Sequence, residues 1–186
     1  MVRPTEGNEP GEQPDHPDLT GVAGEMRAEW RAEQDAAAAD AAAQWRHGRS
    51  LTEWLRDRMH AGDRIAVMVT AQPFVGIVEE VGADLLALRC AFGRVEIHVG
   101  AGIPISFEIV EHAKEGGTRG ALRREFRDAL LARDAQAGVS VGTRQHPDGI
   151  EGTLLVGRDF VTIVTRAGTE TVVPIAHVAW VTVARV

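Results

Sequence analysis

The chain has 186 residues, a net charge of −7 and a single cysteine, Cys90. That length holds one large domain or two small ones, the lone thiol excludes an internal disulfide, and no apolar run reaches the roughly 20 residues that cross a bilayer. Residues 113–137 are the only net-basic segment, at +2, so the counts show no basic face of the kind that displaces counterions from nucleic-acid phosphates.

Residues 1–18 are rich in Pro, Gly and acids. They cannot bury enough apolar surface to order themselves and lack the apolar core of a signal peptide. They are expected to form a disordered acidic tail, and the chain to be soluble and cytoplasmic. Residues 19–49 are dominated by Ala, Glu, Gln and Arg, all helix formers. Met26, Trp30, Ala37, Ala41 and Trp45 mark one stripe of that helix, and Gly48 is its natural stop. Ser50 with Glu53 has the spacing of a capping box, opening a second helix through Leu51, Trp54, Leu55 and Met59 that ends at Gly62.

From Asp63 the period falls to two. DRIAVMVT, QPFVGIVEEV, DLLALRCA, GRVEIHV and IPISFEIVE read as five short strands over 63–112, with Gly or Asp near most joints. AKEGGTRG, 113–120, reads as a flexible linker. A third helix is predicted over 121–138, with Leu122, Phe126, Leu130 and Leu131 on one face. Strands return at VSVGTRQ, IEGTLLV, DFVTIVT, TETVVP and AHVAWVTV, to residue 186.

The order of one helix and five strands thus occurs twice, and residue offsets predict an internal repeat. Gly62 matches Gly138 and Gly76 matches Gly152 at an offset of 76. Gly82, Asp84 and Gly93 then match Gly157, Asp159 and Gly168 at 75. Glycine inside a strand marks a bend, and Asp suits the turn that follows strand two.

The strings FVGIVEEVGADLLAL and IEGTLLVGRDFVTIV, each followed by a later apolar strand pair, resemble the Sm-like (LSm) fold over residues 50–112 and 121–186. Other small SH3-like barrels carry similar strings. The resemblance implies a mainly β fold with helices: two tandem five-stranded Sm-like or SH3-like barrels, each preceded by an α-helix, beside the long N-terminal helix. It also implies RNA binding within rings of barrels joined by strands four and five. The family's pocket Asn falls on Leu88 and Ile163, and its Arg-Gly pair on Val99-Gly100 and Pro174-Ile175. The resemblance therefore carries the fold and not the pocket.

No nucleotide-binding Gly loop, GxSxG, HExxH or CxxC occurs, and the scattered histidines have no metal-ligand spacing. No catalytic residue, metal or cofactor is expected. Cys90 reads as a small apolar filler, while His98 and His177 fall near the fourth and fifth strands of their repeats. Phe92 beside Arg94, and Phe160 beside Arg158, have the look of base-stacking pairs. The sequence is read as a non-enzymatic binding module, with RNA as the partner that the resemblance to Sm-like proteins implies. The alternative is a protein-interaction or scaffold protein that uses its barrel edges and the Ala-rich helix, 20–48, for a protein partner or for self-association into oligomers.

Overall fold

The computed structural model describes residues 19–183 except 101, 115 and 118–123. The expected tail, half of the linker and Leu122 lie outside the described residues. The chain divides into two units between Arg49 and Ser50.

The first unit is α1 (Leu19–His47), 29 residues long. Gly48 ends it, donating its N–H to Gln44 O at 3.0 Å. Met26, Trp30 and Trp45 are exposed, and the Arg49 guanidinium lies 4.0 Å above the Trp45 ring.

The second unit begins with α2 (Leu51–Ala61). Ser50 Oγ accepts the Glu53 N–H at 3.2 Å and Glu53 Oε2 accepts the Ser50 N–H at 2.8 Å, the reciprocal cap its spacing predicts. Gly62, at φ 80°, closes the helix. Then come β1 (Arg64–Val69), β2 (Gln72–Val81), β3 (Leu85–Cys90), β4 (Gly93–His98) and β5 (Ile105–Glu111). After α3 (Phe126–Leu131) follow β6 (Val139–Thr143), β7 (Ile150–Val156), β8 (Phe160–Val164), β9 (Glu170–Pro174) and β10 (Val178–Val183).

The fold is mainly β with helices, but the strands do not close into two separate barrels. They form one open antiparallel sheet in the order β5-β1-β2-β3-β4-β10-β6-β7-β8-β9. The physical reason lies at β4. Closing the first five strands would need β4 to bond β5, and β4 instead pairs with β10, Val95, Glu96 and Ile97 facing Thr182, Val181 and Trp180. Strands β5 and β9 are left as the two edges.

Each half of the sheet has the same internal order, with its fifth strand beside its first and then its second, third and fourth. Each also has the same bend. β2 passes from β1 to β3 around Gly76, and β7 passes from β6 to β8 around Gly152. A Cβ at Gly76 would stand 2.7 Å from Arg89 O, and one at Gly152 would stand 2.5 Å from Val164 O. Glycine is required at both because the facing backbone comes too close for a side chain. The turns after these strands match too. Gly82 N–H donates to Leu85 O and Gly157 N–H to Phe160 O, each at 2.8 Å.

Two differences from the sequence reading have clear causes. Gly93 opens β4 opposite Cys90, whereas Gly168 lies in the β8–β9 turn ahead of its strand. Register makes Arg94 the counterpart of Glu170, because Arg89 faces the first and Val164 the second. The Gly93–Gly168 match therefore slips by one where the second turn is longer. The third helix is also shorter than predicted and leaves Leu131 exposed. The chain leaves it because Ala135 N–H donates to Leu154 O at 2.7 Å and Leu154 N–H donates to Gln136 O at 3.1 Å, pairing the segment with β7.

Two of the described linker residues, Ala113 and Gly117, are anchored. Ala113 N–H donates to the buried Asp63 carboxylate at 3.0 Å, which also takes Arg58 Nη1 at 2.8 Å. Gly117 N–H donates to His60 O at 2.8 Å.

Two hydrophobic cores fill the unit, and they exchange residues. Trp180 and Ala179 of β10 belong to the first core, among Leu86, Val95 and Ile97. Leu85 of β3 belongs to the second, with Phe126, Ala129 and Leu130 of α3. Alternation along a strand sends neighbouring side chains to opposite faces, so β10 feeds the first core with Trp180 and the second with Val181.

Candidate functional site

The joint between the two halves gathers a network of arginines and carboxylates. Arg94 on β4 reaches Glu79 Oε2 at 3.2 Å and Glu96 Oε1 at 3.2 Å, and it pairs with Glu80. Arg124 reaches Glu80 Oε2 at 3.3 Å and Glu96 Oε1 at 3.9 Å. Arg133, in the turn after α3, pairs with the buried Glu96. Burial disfavours the Arg94 charge, but Glu96 and then Glu80 outweigh it and hold its pKa above the ordinary value. At Arg133 burial wins over Glu96, and the like charges of Arg94 and Arg124 add to it, so its pKa is lowered. The cluster is a clamp between halves. With its guanidiniums facing carboxylates, it has no group poised as a nucleophile or base.

A second clamp lies beside it. Asp84 Oδ1 accepts the Phe126 N–H at 2.7 Å, capping α3 from the other half. The His98 ring stacks on Phe126 with centroids 4.7 Å apart and planes 4° from parallel. Its Nδ1–H donates to Val178 O at 3.1 Å, and its Nε2 lies 3.5 Å from Asp84 Oδ2. A Cβ at Gly82 would run into the Arg124 carbonyl, so that glycine admits the chain leading into α3. Asp84 thus serves more than the turn expected of it.

The counterpart of this clamp in the second half is vacant. Ile175 N–H donates to Asp159 O at 2.9 Å just as Val99 N–H donates to Asp84 O at 2.7 Å. Yet the Asp159 side chain is exposed and takes no partner among the described residues. Leu85 is 1% exposed under α3, whereas its counterpart Phe160 is 41% exposed. The Phe160 ring leans instead on Gly157, where a Cβ would stand 2.7 Å from it. Beside it, Val172 on the β9 edge is 61% exposed.

The residues proposed from sequence for nucleic acid are dispersed among these roles. Arg94 is held by carboxylates and is not presented to a phosphate. Phe92 is exposed in the β3–β4 turn, 6.3 Å from Phe74. Arg158 is exposed beside Phe160, and its carbonyl accepts the Arg127 Nε–H at 3.2 Å. Cys90 is buried, and that burial pushes its thiol up to about 11, against the lowering by Arg64 and with a further push from Glu79. His177 lines a cleft of about 500 Å³ with His146, Thr143 and Val172. A cleft of about 430 Å³ at Gly76 is lined by Arg64, Arg89 and Cys90, and one of about 630 Å³ occupies the matching place at Gly152. Among the described residues no group of His, Cys, Asp and Glu could hold a metal ion, and no helix is long and apolar enough to cross a membrane.

Sequence reasoning missed Glu80, Glu96, Arg124 and Arg133. The available signal was acidic residues inside otherwise apolar strands, at VEEV and VEIH. Buried charges of this kind need partners from elsewhere in the chain. Compared with family models, with curated proteins and with solved structures, the chain has no match in any of the three.

Proposed function

We propose that the chain is a non-catalytic interaction module that binds another polypeptide by strand addition at its open sheet edges. The reading takes it as two tandem five-stranded units of Sm-like kind, with a cytoplasmic setting suited to its one buried thiol. The observation that carries it is the asymmetry of equivalent strands. β4 is covered by β10, while β9, in the same place of the second half, has strand β8 on one side and, among the described residues, no strand on the other. An uncovered edge offers a row of backbone donors and acceptors to an incoming strand. The shared strand order and the paired turn hydrogen bonds support the tandem reading.

RNA is the second reading, favoured by exposed Phe160 beside exposed Arg158. It is opposed by the net charge of −7 and by the engagement of Arg94 with carboxylates. The test is a titration of the dilute protein with a synthetic peptide spanning residues 103–111, following amide exchange. Slowed exchange concentrated in β9 is the expected result. Unchanged β9 exchange, with salt-dependent binding of single-stranded RNA that Arg158→Ala weakens, would replace this reading with nucleic-acid binding.

A further inference from the structure

We infer that the cleft between the β6–β7 connection and β9 binds a small carboxylate carried on an apolar body. The binding groups are side chains around a concavity, not the backbone row of a strand edge, so the site goes beyond the edge-binding reading and does not rest on it.

The cleft holds about 500 Å³, within the roughly 300–1,000 Å³ of small-ligand sites. Both halves of the sheet build it. Thr70 and Ile103 come from the first half, and Arg144, His146, Val173 and His177 from the second. The lining offers one guanidinium and two imidazoles, and among the described residues it includes no Asp or Glu. The clefts at Gly76 and Gly152 differ in this respect. Glu111 lines the first beside Arg64 and Arg89, and Glu151 lines the second beside Arg166. Arg144 makes no ion pair among the described residues. In a chain of net charge −7 it is a cation left for an outside anion.

These groups sit where the two halves differ. Gly76 faces Ile65 and Gly152 faces Val139, so Thr143 and Arg144 are the counterparts of Val69 and Thr70. Thr70 opens a turn of two residues, 70–71, whereas six residues, 144–149, join β6 to β7. The longer connection carries Arg144 and His146 to the cleft, and hydrogen bonds fix it. Thr143 Oγ1 accepts the Gln145 N–H at 3.2 Å and the His146 N–H at 3.0 Å. The His146 carbonyl accepts the Thr143 N–H at 3.0 Å and the Gly149 N–H at 3.1 Å. Thr143 is 4% exposed, and its own O–H donates to no acceptor among the described residues. A buried hydroxyl donor therefore stands next to the arginine. His177 ends a short 3-10 turn (Ile175–His177) that the Ile175 N–H anchors on Asp159 O at 2.9 Å. Both walls are thus held in place before any ligand arrives, which lowers the cost of binding.

The groups define the ligand. A guanidinium takes a carboxylate through two parallel N–H bonds, and a hydroxyl and an imidazole N–H add further donors. Arg144 is the one permanent cation of the lining among the described residues. It balances one negative charge, which suits a carboxylate better than a phosphate dianion. Val173 and Ala179 are buried, and with Ile103 they give the cleft an apolar wall. A hydrocarbon or aryl group laid on that wall leaves water and gains accordingly. A bare anion forfeits the wall, and a neutral alcohol forfeits the arginine.

The test follows the backbone amides of residues 143–146 and 177 by NMR while the full chain is titrated separately with phenylacetate, acetate, 2-phenylethanol and phenyl phosphate. Phenylacetate should shift those amides saturably and bind at least about tenfold more tightly than acetate or 2-phenylethanol. Arg144 and Arg166 are both exposed, so replacing either should leave the fold intact. Arg144→Ala should weaken phenylacetate by at least about tenfold and leave 2-phenylethanol unchanged. Arg166→Ala should change neither. No saturable shift at these amides, equal binding of the neutral alcohol, or undiminished phenylacetate binding by Arg144→Ala overturns the inference. So does tighter binding of phenyl phosphate, which would assign the cleft to phosphate. Strand addition is judged separately, by exchange in β9 with the peptide, and either reading can fail while the other stands.

Discussion

The Asp84 carboxylate, in a turn of the first half, accepts the backbone N–H of Phe126 at the start of the second half's helix, at 2.7 Å. Asp159, its counterpart, caps no helix among the described residues. Equivalent residues therefore carry unequal loads. Asp84→Ala should lower stability by about 1 kcal/mol, as loss of a helix cap does. Asp159→Ala in dilute protein should stay within about 0.5 kcal/mol, as for an exposed residue. Equal losses from the two variants in urea unfolding would contradict this assignment.

Trp180 leaves its own half to meet Phe74 edge-on in the other core, with ring centroids 5.2 Å apart. Gly142 gives the indole room, since a Cβ there would strike it. Trp180→Ala should cost about 3–5 kcal/mol by the usual penalty for an emptied aromatic site. Because the residue spans both halves, the wild type should unfold beyond residue 50 in one transition. Calorimetry that resolves two transitions in the wild type would show the halves to be independent.

Glu96 is buried between Arg94, Arg124 and Arg133. Removing the Glu96 charge leaves the buried Arg133 without its carboxylate, while Arg94 and Arg124 keep Glu80, so Glu96→Gln should cost about 3 kcal/mol. Arg133→Met combined with Glu96→Leu should cost less than the sum of the single variants, which a double-mutant cycle measures. Strict additivity would mean the two side chains do not form a coupled pair.

Burial holds the Cys90 thiol pKa at about 11. Only thiolate reacts with alkylating reagents, so at pH 8 about one thousandth of the thiol is reactive. Native protein should be alkylated far more slowly than urea-unfolded protein, and the native rate should rise about tenfold per pH unit toward that pKa. A native rate equal to the unfolded one at pH 8 would show the thiol to be accessible.

Much of the strand pattern was legible because it depends on local rules. Alternation of period two marked the strands, and Ser50 with Glu53 marked the start of α2. Gly76 and Gly152 were readable as bends because a kinked strand brings facing backbone too close for a Cβ. Less of the site was legible. Phe160 beside Arg158 and Phe92 beside Arg94 looked alike in sequence, yet Arg94 is held by three carboxylates and Arg158 is not. Adjacency along a strand says nothing about what lies across it.

The sequence by itself determined the element order, the β-rich class, the shared punctuation of the two halves and the lack of any recognised catalytic motif, because each depends on short-range propensity and spacing. Tertiary structure alone decided that β4 would bond β10 and not close on β5. That choice buries Leu85 and Glu96 and leaves Phe160 and Val172 exposed. Its physical cause is non-local. The second half covers the first with a strand, a helix and a tryptophan, and among the described residues no further strand covers β9.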